Sequence, residues 1–208
     1  VEIGADRTKY HVHKALISRH SEYFEKALKG SWNEAQEGVV WLEDVDDCIF
    51  NLFLHWLYSQ RIPIAEKDWR HILELDEMSD WKQDRFVALV KAYEFGDRFL
   101  SLSFRCQVNN AFAQAVNDCY FDAPTHYECL SYAFDRIPSN RPILQLLIDD
   151  LCTTWSELYD EDDTKLQAFR KLPPQVLSRS FLRLQEMRMR DLARTQRRIG
   201  ATTSTMQI

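Results

Sequence analysis

Hydrophobic and polar positions alternate over residues 1–3 and again over 9–12, on either side of a Gly-Ala-Asp-Arg turn, which predicts a hairpin with one buried face. After His13 the period lengthens to that of a helix. Ala15, Leu16, Tyr23, Phe24, Ala27 and Leu28 fit two short helices divided near residues 18–21, with Ser21 as N-cap of the second and Gly30 as its stop. A β-rich run at 39–42 follows, then an Asp-rich start that suits the positive end of a helix dipole. The helix it opens, over 49–58, is apolar on most sides through Ile49, Phe50, Phe53, Leu54, Trp56 and Leu57, so it is predicted to lie at the centre of the core.

Residues 62–85 are polar and acidic, interrupted by Trp69 and Trp81. Helical spacing resumes over 86–99 (Leu89, Val90, Tyr93) and 102–116 (Val108, Phe112, Ala115). Gly96 inside the first of these is expected to weaken it by about 1 kcal/mol relative to Ala. Thr125 and Glu128 stand at capping-box spacing after Pro124 and open a helix to about 134. A Pro-Ser-Asn-Arg-Pro breaker precedes a helix over about 141–155 with Leu144, Leu147, Ile148 and Leu151 on its apolar side. Residues 160–163 read as an acidic loop. Pro173 and Pro174 start the last helix, where Leu177, Phe181 and Leu184 form an apolar stripe before a run of Arg188, Arg190, Arg194, Arg197 and Arg198. From about 200 a disordered tail is expected, and no repeat of solenoid length is visible.

The segment YHVHKALISRHSEYF at 10–24 sets Tyr10, Val12, His13, Lys14, Leu16, Ser21, Tyr23 and Phe24 in the order that opens a BTB/POZ domain. Gly30, Glu34, the 39–42 strand, the acidic start at 44–47 and Trp56-Leu57-Tyr58 continue the match over about sixty residues, and the chain resembles a BTB/POZ protein of fungal type. The resemblance implies an α+β fold, with a small, mostly N-terminal β-sheet flanked by a helical cluster over residues 1–122. An all-helical C-terminal extension over 123–208 follows. It also makes 62–85 a length-variable insertion, and puts Ala in the family where this chain has Gly96.

At 208 residues with 45% hydrophobic and 12% aromatic residues, the chain can furnish a sizeable core. Five widely spaced cysteines, an odd number set in apolar helical patterns, read as reduced thiols of a cytoplasmic or nuclear protein. No apolar run approaches the roughly 18 residues that cross a bilayer. The chain opens directly on a strand, so an upstream segment is expected. Net charge is −6, but residues 171–208 carry eight basic and two acidic residues, which leaves −12 upstream. An acidic body of that kind disfavours generic nucleic-acid binding.

Candidate chemistry is sparse. His11 and His13 share a strand face but lack further donors for a four-ligand metal site. There is no Gly-x-Ser-x-Gly elbow, no Gly-rich phosphate loop and no His-Glu-x-x-His, so neither an enzyme nor a cofactor is expected. The arginines of the last helix are spread around it, as on a solvated or partner-covered helix.

The expected function is protein–protein interaction, giving homo- or hetero-oligomers through the first two helices and first strand. Tyr23 and Phe24 lie in that region. Lys14 matches the basic position of the charged pocket that the family places near its dimer interface, while its usual acidic partner would precede Val1. Trp32-Asn33-Glu34 falls where cullin-binding members carry a hydrophobic residue, any residue and Glu, which makes a cullin-type ubiquitin ligase adaptor the first alternative. A transcriptional co-regulator acting through protein contacts is the second, since no zinc-finger spacing occurs.

Overall fold

The alternating N-terminal residues pair as expected in the computed structural model, which describes residues 1–29, 38–119, 121–154 and 163–205. Strands β1 (Glu2–Ile3) and β2 (Thr8–Lys9) run antiparallel with Glu2 opposite Lys9, and Gly4 at φ +70° turns the chain between them. Strand β3 (Trp41–Leu42) joins the other edge of β1 in parallel, giving the order β2-β1-β3. Parallel strands need a crossover connection. Its described residues form two helices, α1 (Lys14–His20) and α2 (Glu22–Lys29). The stop assigned to Gly30 lies outside the described residues.

Helix α3 (Asp47–Ser59) buries Ile49, Phe50, Leu52, Phe53, Trp56 and Leu57, so it is the central helix that its composition demands. The Tyr10 hydroxyl donates to Asp47 Oδ1 at 2.9 Å and ties the end of the hairpin to the first turn of α3.

The polar stretch 62–85 contains helical structure. It folds into α4 (Glu66–Ile72), whose Trp69 is fully buried, and the start of α5 (Trp81–Arg98). The polar residues themselves supply the order: Arg70 Nε meets Glu66 Oε1 at 2.7 Å one turn back, and Asp76 Oδ1 accepts the amides of Met78 and Ser79 at 2.9 and 2.8 Å. Two apolar side chains, Trp69 and Ile72, then suffice to seat α4 on the core.

Helices α5 and α6 (Leu102–Asp118) form a tightly packed pair. Gly96 is the reason they approach so closely. A Cβ at that position would stand 3.1 Å from Arg105 Cβ and 3.2 Å from its Cα and N. The helix-propensity penalty therefore permits contact with a neighbouring backbone that cannot swing away. Overpacking costs about 1–3 kcal/mol, against the roughly 1 kcal/mol that Ala offers. Gly96→Ala is expected to lower the melting temperature in calorimetry; a rise would show that propensity decides.

Beyond residue 122 the described residues form α7 (Ala123–Arg136), α8 (Pro142–Thr154), α9 (Asp163–Arg170) and α10 (Pro174–Thr205). Asp122, three residues before the expected cap, is the N-cap of α7, its carboxylate accepting from the Thr125 amide at 2.8 Å. The apolar core passes without a break from α3, α5 and α6 into α7 and α8. Helix α10 meets α8 with a different face from the one its apolar stripe predicts. Val176 and Ser180 are buried, and Arg183 reaches Asp149 of α8 at 2.7 Å, while Leu177, Phe181 and Leu184 are exposed. The helix continues past Gly200 to Thr205, beyond the point where a tail is expected, because adding residues to an existing helix costs far less than nucleating one. No described helix is long and apolar enough to cross a membrane. The five cysteines are unpaired; Cys129 and Cys152 are buried and Cys106 is exposed.

Between α7 and α8 lies a buried pair that the sequence does not reveal. His126 Nδ1 faces Asp150 Oδ2 at 3.3 Å, Nε2 lies 3.1 Å from the Leu147 carbonyl, and the imidazole stacks on Phe121 at 4.4 Å. Burial holds His126 down to about 4 and pushes Asp150 up to about 6. The folded pair thus keeps one proton between about pH 4 and 6, on Asp150. The unfolded chain also keeps one there, on the histidine. The lowered histidine loses stability as pH falls from its ordinary value, the raised aspartate loses it as pH rises through about 6, and the two slopes oppose each other. Removing the carboxylate leaves the histidine slope alone. Asp150→Asn is therefore expected to make the melting temperature fall by several degrees more than wild type between pH 7 and 4.5; parallel curves would refute the pairing.

Candidate functional site at the corner of the first two helices

Ser21 ends α1 and begins α2. Its Oγ accepts the Phe24 amide at 3.2 Å, as an N-cap does, and donates to the Phe99 carbonyl at 2.5 Å. The second bond fastens the α1–α2 junction to the end of α5. Ser101 completes the clamp from the other side, donating through Oγ to the His20 carbonyl at 2.8 Å, and the Glu22 amide reaches the Leu100 carbonyl at 3.4 Å. Two helix junctions distant in sequence thus form one corner.

At this corner α5 stops in an unusual way. The Ser101 amide bonds to the Gly96 carbonyl at 2.8 Å and the Leu100 amide to Asp97 at 3.3 Å, the paired closure in which a left-handed residue, normally Gly, follows the helix. Leu100 occupies that place with φ +52°. For an L-residue this conformation costs about 1–2 kcal/mol. The side chain does not recover the cost by burial, since Leu100 is 51% exposed and Leu102, two residues on, is 61% exposed. Tyr23 is half-buried, its ring 5.0 Å from Phe99. His20 packs edge-on against Trp56 at 5.3 Å; burial, with a smaller push from Arg19, holds it below the ordinary histidine value.

Of the five residues that sequence singles out, Lys14 and Tyr23 lie on α1 and α2 with accessible surface. Lys14 is exposed and borders an open hollow of about 590 Å³ between the two helices, with Ser18, Arg19 and Lys29 on its walls. Phe24 is wholly buried between Phe53 and Phe99, so it is a core residue that a partner cannot touch in this fold. Trp32 and Glu34 lie outside the described residues. The His13 ring is engaged by the Tyr58 hydroxyl at 2.8 Å, and no group of three possible metal ligands occurs among the described residues. Leu100 and Leu102 escape a sequence reading, although one signal exists. A leucine stands in a helix connection whose flanking stripes, Phe95 with Phe99 and Phe104 with Val108, are already complete.

The BTB/POZ domain family model matches residues 1–85. This stretch is a BTB/POZ domain. The module is one of protein–protein interaction. Kelch repeat and BTB domain-containing protein 4 of Homo sapiens is 23% identical over 101 residues, covering 49% of this chain and 17% of that protein. The proteins of the same name from Pongo abelii and Mus musculus show the same 23% identity over 101 residues. The chain thus spans less than a fifth of the length of these relatives. The family match contains α1 to α4 and ends at Arg85 inside α5, so the corner joins two BTB helices to a turn supplied by the following residues.

If Leu100 is retained for its exposed side chain, the position is improvable for stability. Leu100→Gly is expected to raise unfolding free energy in urea by about 0.5–1 kcal/mol, the relief of the left-handed strain less the added freedom of an unfolded glycine. A loss of stability would mean that the side chain serves the fold.

Proposed function

We propose that this BTB/POZ protein is a non-enzymatic scaffold that binds protein partners, a second copy of itself among them, through the α1–α2 corner. The observation that supports this reading best is the exposed Leu100 held in a left-handed backbone, strain of the kind proteins keep where a surface is used. Leu102 and Tyr23 extend the apolar area, and Lys14 and Arg19 supply charge along α1 that orients a partner. The fungal type, with α7 to α10 as its helical extension and α4 as its variable insertion, is part of the same proposal, as is action in the cytoplasm or nucleus. Leu102→Asp tests the surface without disturbing the core, because Leu102 is exposed at the first turn of α6, where an acidic residue suits the helix dipole. In sedimentation at micromolar concentration the wild type is expected to self-associate and the variant to do so at least about tenfold more weakly, the worth of one 1.4 kcal/mol contact. A monomeric wild type ends the homodimer reading, and an unchanged variant ends the role of the corner.

A second reading, a substrate adaptor of a cullin-type ubiquitin ligase, is favoured by the order Trp32-Asn33-Glu34, an aromatic anchor beside an orienting carboxylate. Pull-down of a cullin by the wild type and not by Trp32→Ala, Glu34→Ala is the expected result; equal capture removes the motif from the argument.

A further inference from the structure

Helix α10 presents apolar side chains on more than one face, and α8 covers only one of them. At roughly 100° per residue, Val176, Ser180 and Arg183 mark the face held on α8. Phe181, Leu182, Met189 and Leu192 fall in a sector about 100° wide on the opposite side. They are 61, 59, 66 and 50% exposed. Half of the exposed large apolar side chains among the described residues lie on this one helix, between Leu177 and Leu192, which is a patch and not the single scattered residues of an ordinary surface.

The backbone of a helix face is already spent, its donors and acceptors bonded within the helix. Whatever covers the face must satisfy its own backbone, and a second helix does so while its side-chain ridges enter the grooves of the first. Charge narrows the choice further. Over 174–195 the helix carries five arginines and two acidic residues. Both acids are engaged at home, Glu186 by Arg183 at 3.1 Å and Asp191 by Arg194 at 3.9 Å. Arg188 and Arg190 stand one on each side of the apolar sector, exposed and without an ion pair among the described residues. The α10 of a second copy would bring the same positive excess, and like charges facing each other oppose that pairing. Ser178 and Gln185 interrupt the sector, and in a bilayer their polar groups would lose water without gaining partners. A protein helix with carboxylates beside its apolar stripe meets every one of these conditions.

We propose that the outward face of α10 binds an acidic amphipathic helix of a partner protein. The partner's aliphatic stripe lies on Phe181, Leu182, Met189 and Leu192, and its flanking carboxylates pair with Arg188 and Arg190. This surface is separate from the α1–α2 corner and does not depend on it, so one copy of the protein can join two partners.

The test selects against the full chain from a phage-displayed library of single helices, with a fixed leucine stripe and flanking positions drawn from Glu, Gln and Lys. Glu is expected to be enriched at the flanks. A selected peptide is resynthesised with blocked ends and titrated by fluorescence polarisation. Its affinity is expected to fall at least about tenfold in Leu182→Ser, Met189→Ser. In Arg188→Gln, Arg190→Gln it is expected to fall several-fold with a shallower salt dependence, and in Leu102→Asp to stay unchanged. All four substituted positions on α10 are exposed, so each double variant is expected to melt with wild type. Should one of them fail to fold, the Glu preference selected on wild type carries the test. Selection of no helix, flanks without a preference for Glu, or equal affinity of wild type and both double variants would overturn the proposal. So would self-association of wild type that Leu182→Ser, Met189→Ser abolishes, or binding of wild type but not that variant to phosphatidylserine vesicles, since the occupant would then be a second copy or a bilayer.

Discussion

Phe53 on α3 touches five other rings: Phe24 of α2 at 6.4 Å, Phe50 and Trp56 of its own helix at 6.1 and 5.9 Å, Phe95 of α5 at 5.0 Å and Phe104 of α6 at 5.2 Å. Each such pair contributes about 0.5–1.5 kcal/mol beyond the area it buries, so the five together contribute about 2.5–7.5 kcal/mol, a sizeable share of the roughly 5–15 kcal/mol by which a domain of ordinary stability stays folded. Among the described residues no other ring makes ring contacts with as many helices. The sheet reaches the cluster through Tyr10, whose ring meets Phe50 at 4.9 Å.

The corner proposed for partner binding is rigid because of this cluster. Phe99 stacks on Phe24 at 5.8 Å and packs against Phe95 at 4.5 Å, which fixes the end of α5. Its carbonyl can then accept from Ser21, and the next residue, Leu100, has nowhere to turn except outward. Surface and core are therefore adjacent in sequence: Phe99 is buried and Leu100 exposed, separated by one peptide bond.

The order of elements was legible because its signals are local. The hairpin alternation, the Ser21 cap and the apolar α3 each declare themselves within a dozen residues. What stayed hidden depends on contacts between distant segments. Phe24 is a partner-binding candidate by its place in the motif, whereas Phe53 of α3 and Phe99 from α5 enclose it in the core. The Asp122 cap outcompetes the Thr125 spacing because a carboxylate is the stronger acceptor for an amide at a helix start. The Leu177, Phe181, Leu184 stripe lost its place on α8 to a face carrying Arg183, whose pairing with Asp149 no periodicity predicts. Gly96 looks like a helix defect until Arg105 is seen beside it. Trp32 and Glu34 illustrate the opposite limit, a motif visible in the sequence alone.

Native-state hydrogen exchange on the Ser21 and Ser101 amides tests the rigid corner most directly. Both are bonded, to the Ile17 carbonyl at 3.0 Å and the Gly96 carbonyl at 2.8 Å. If the aromatic cluster holds the two junctions as one unit, both amides exchange as slowly as that of Phe53, through global unfolding. Exchange at the rate of an exposed loop, with Phe53 still protected, would show that the corner opens by itself and contradict the account.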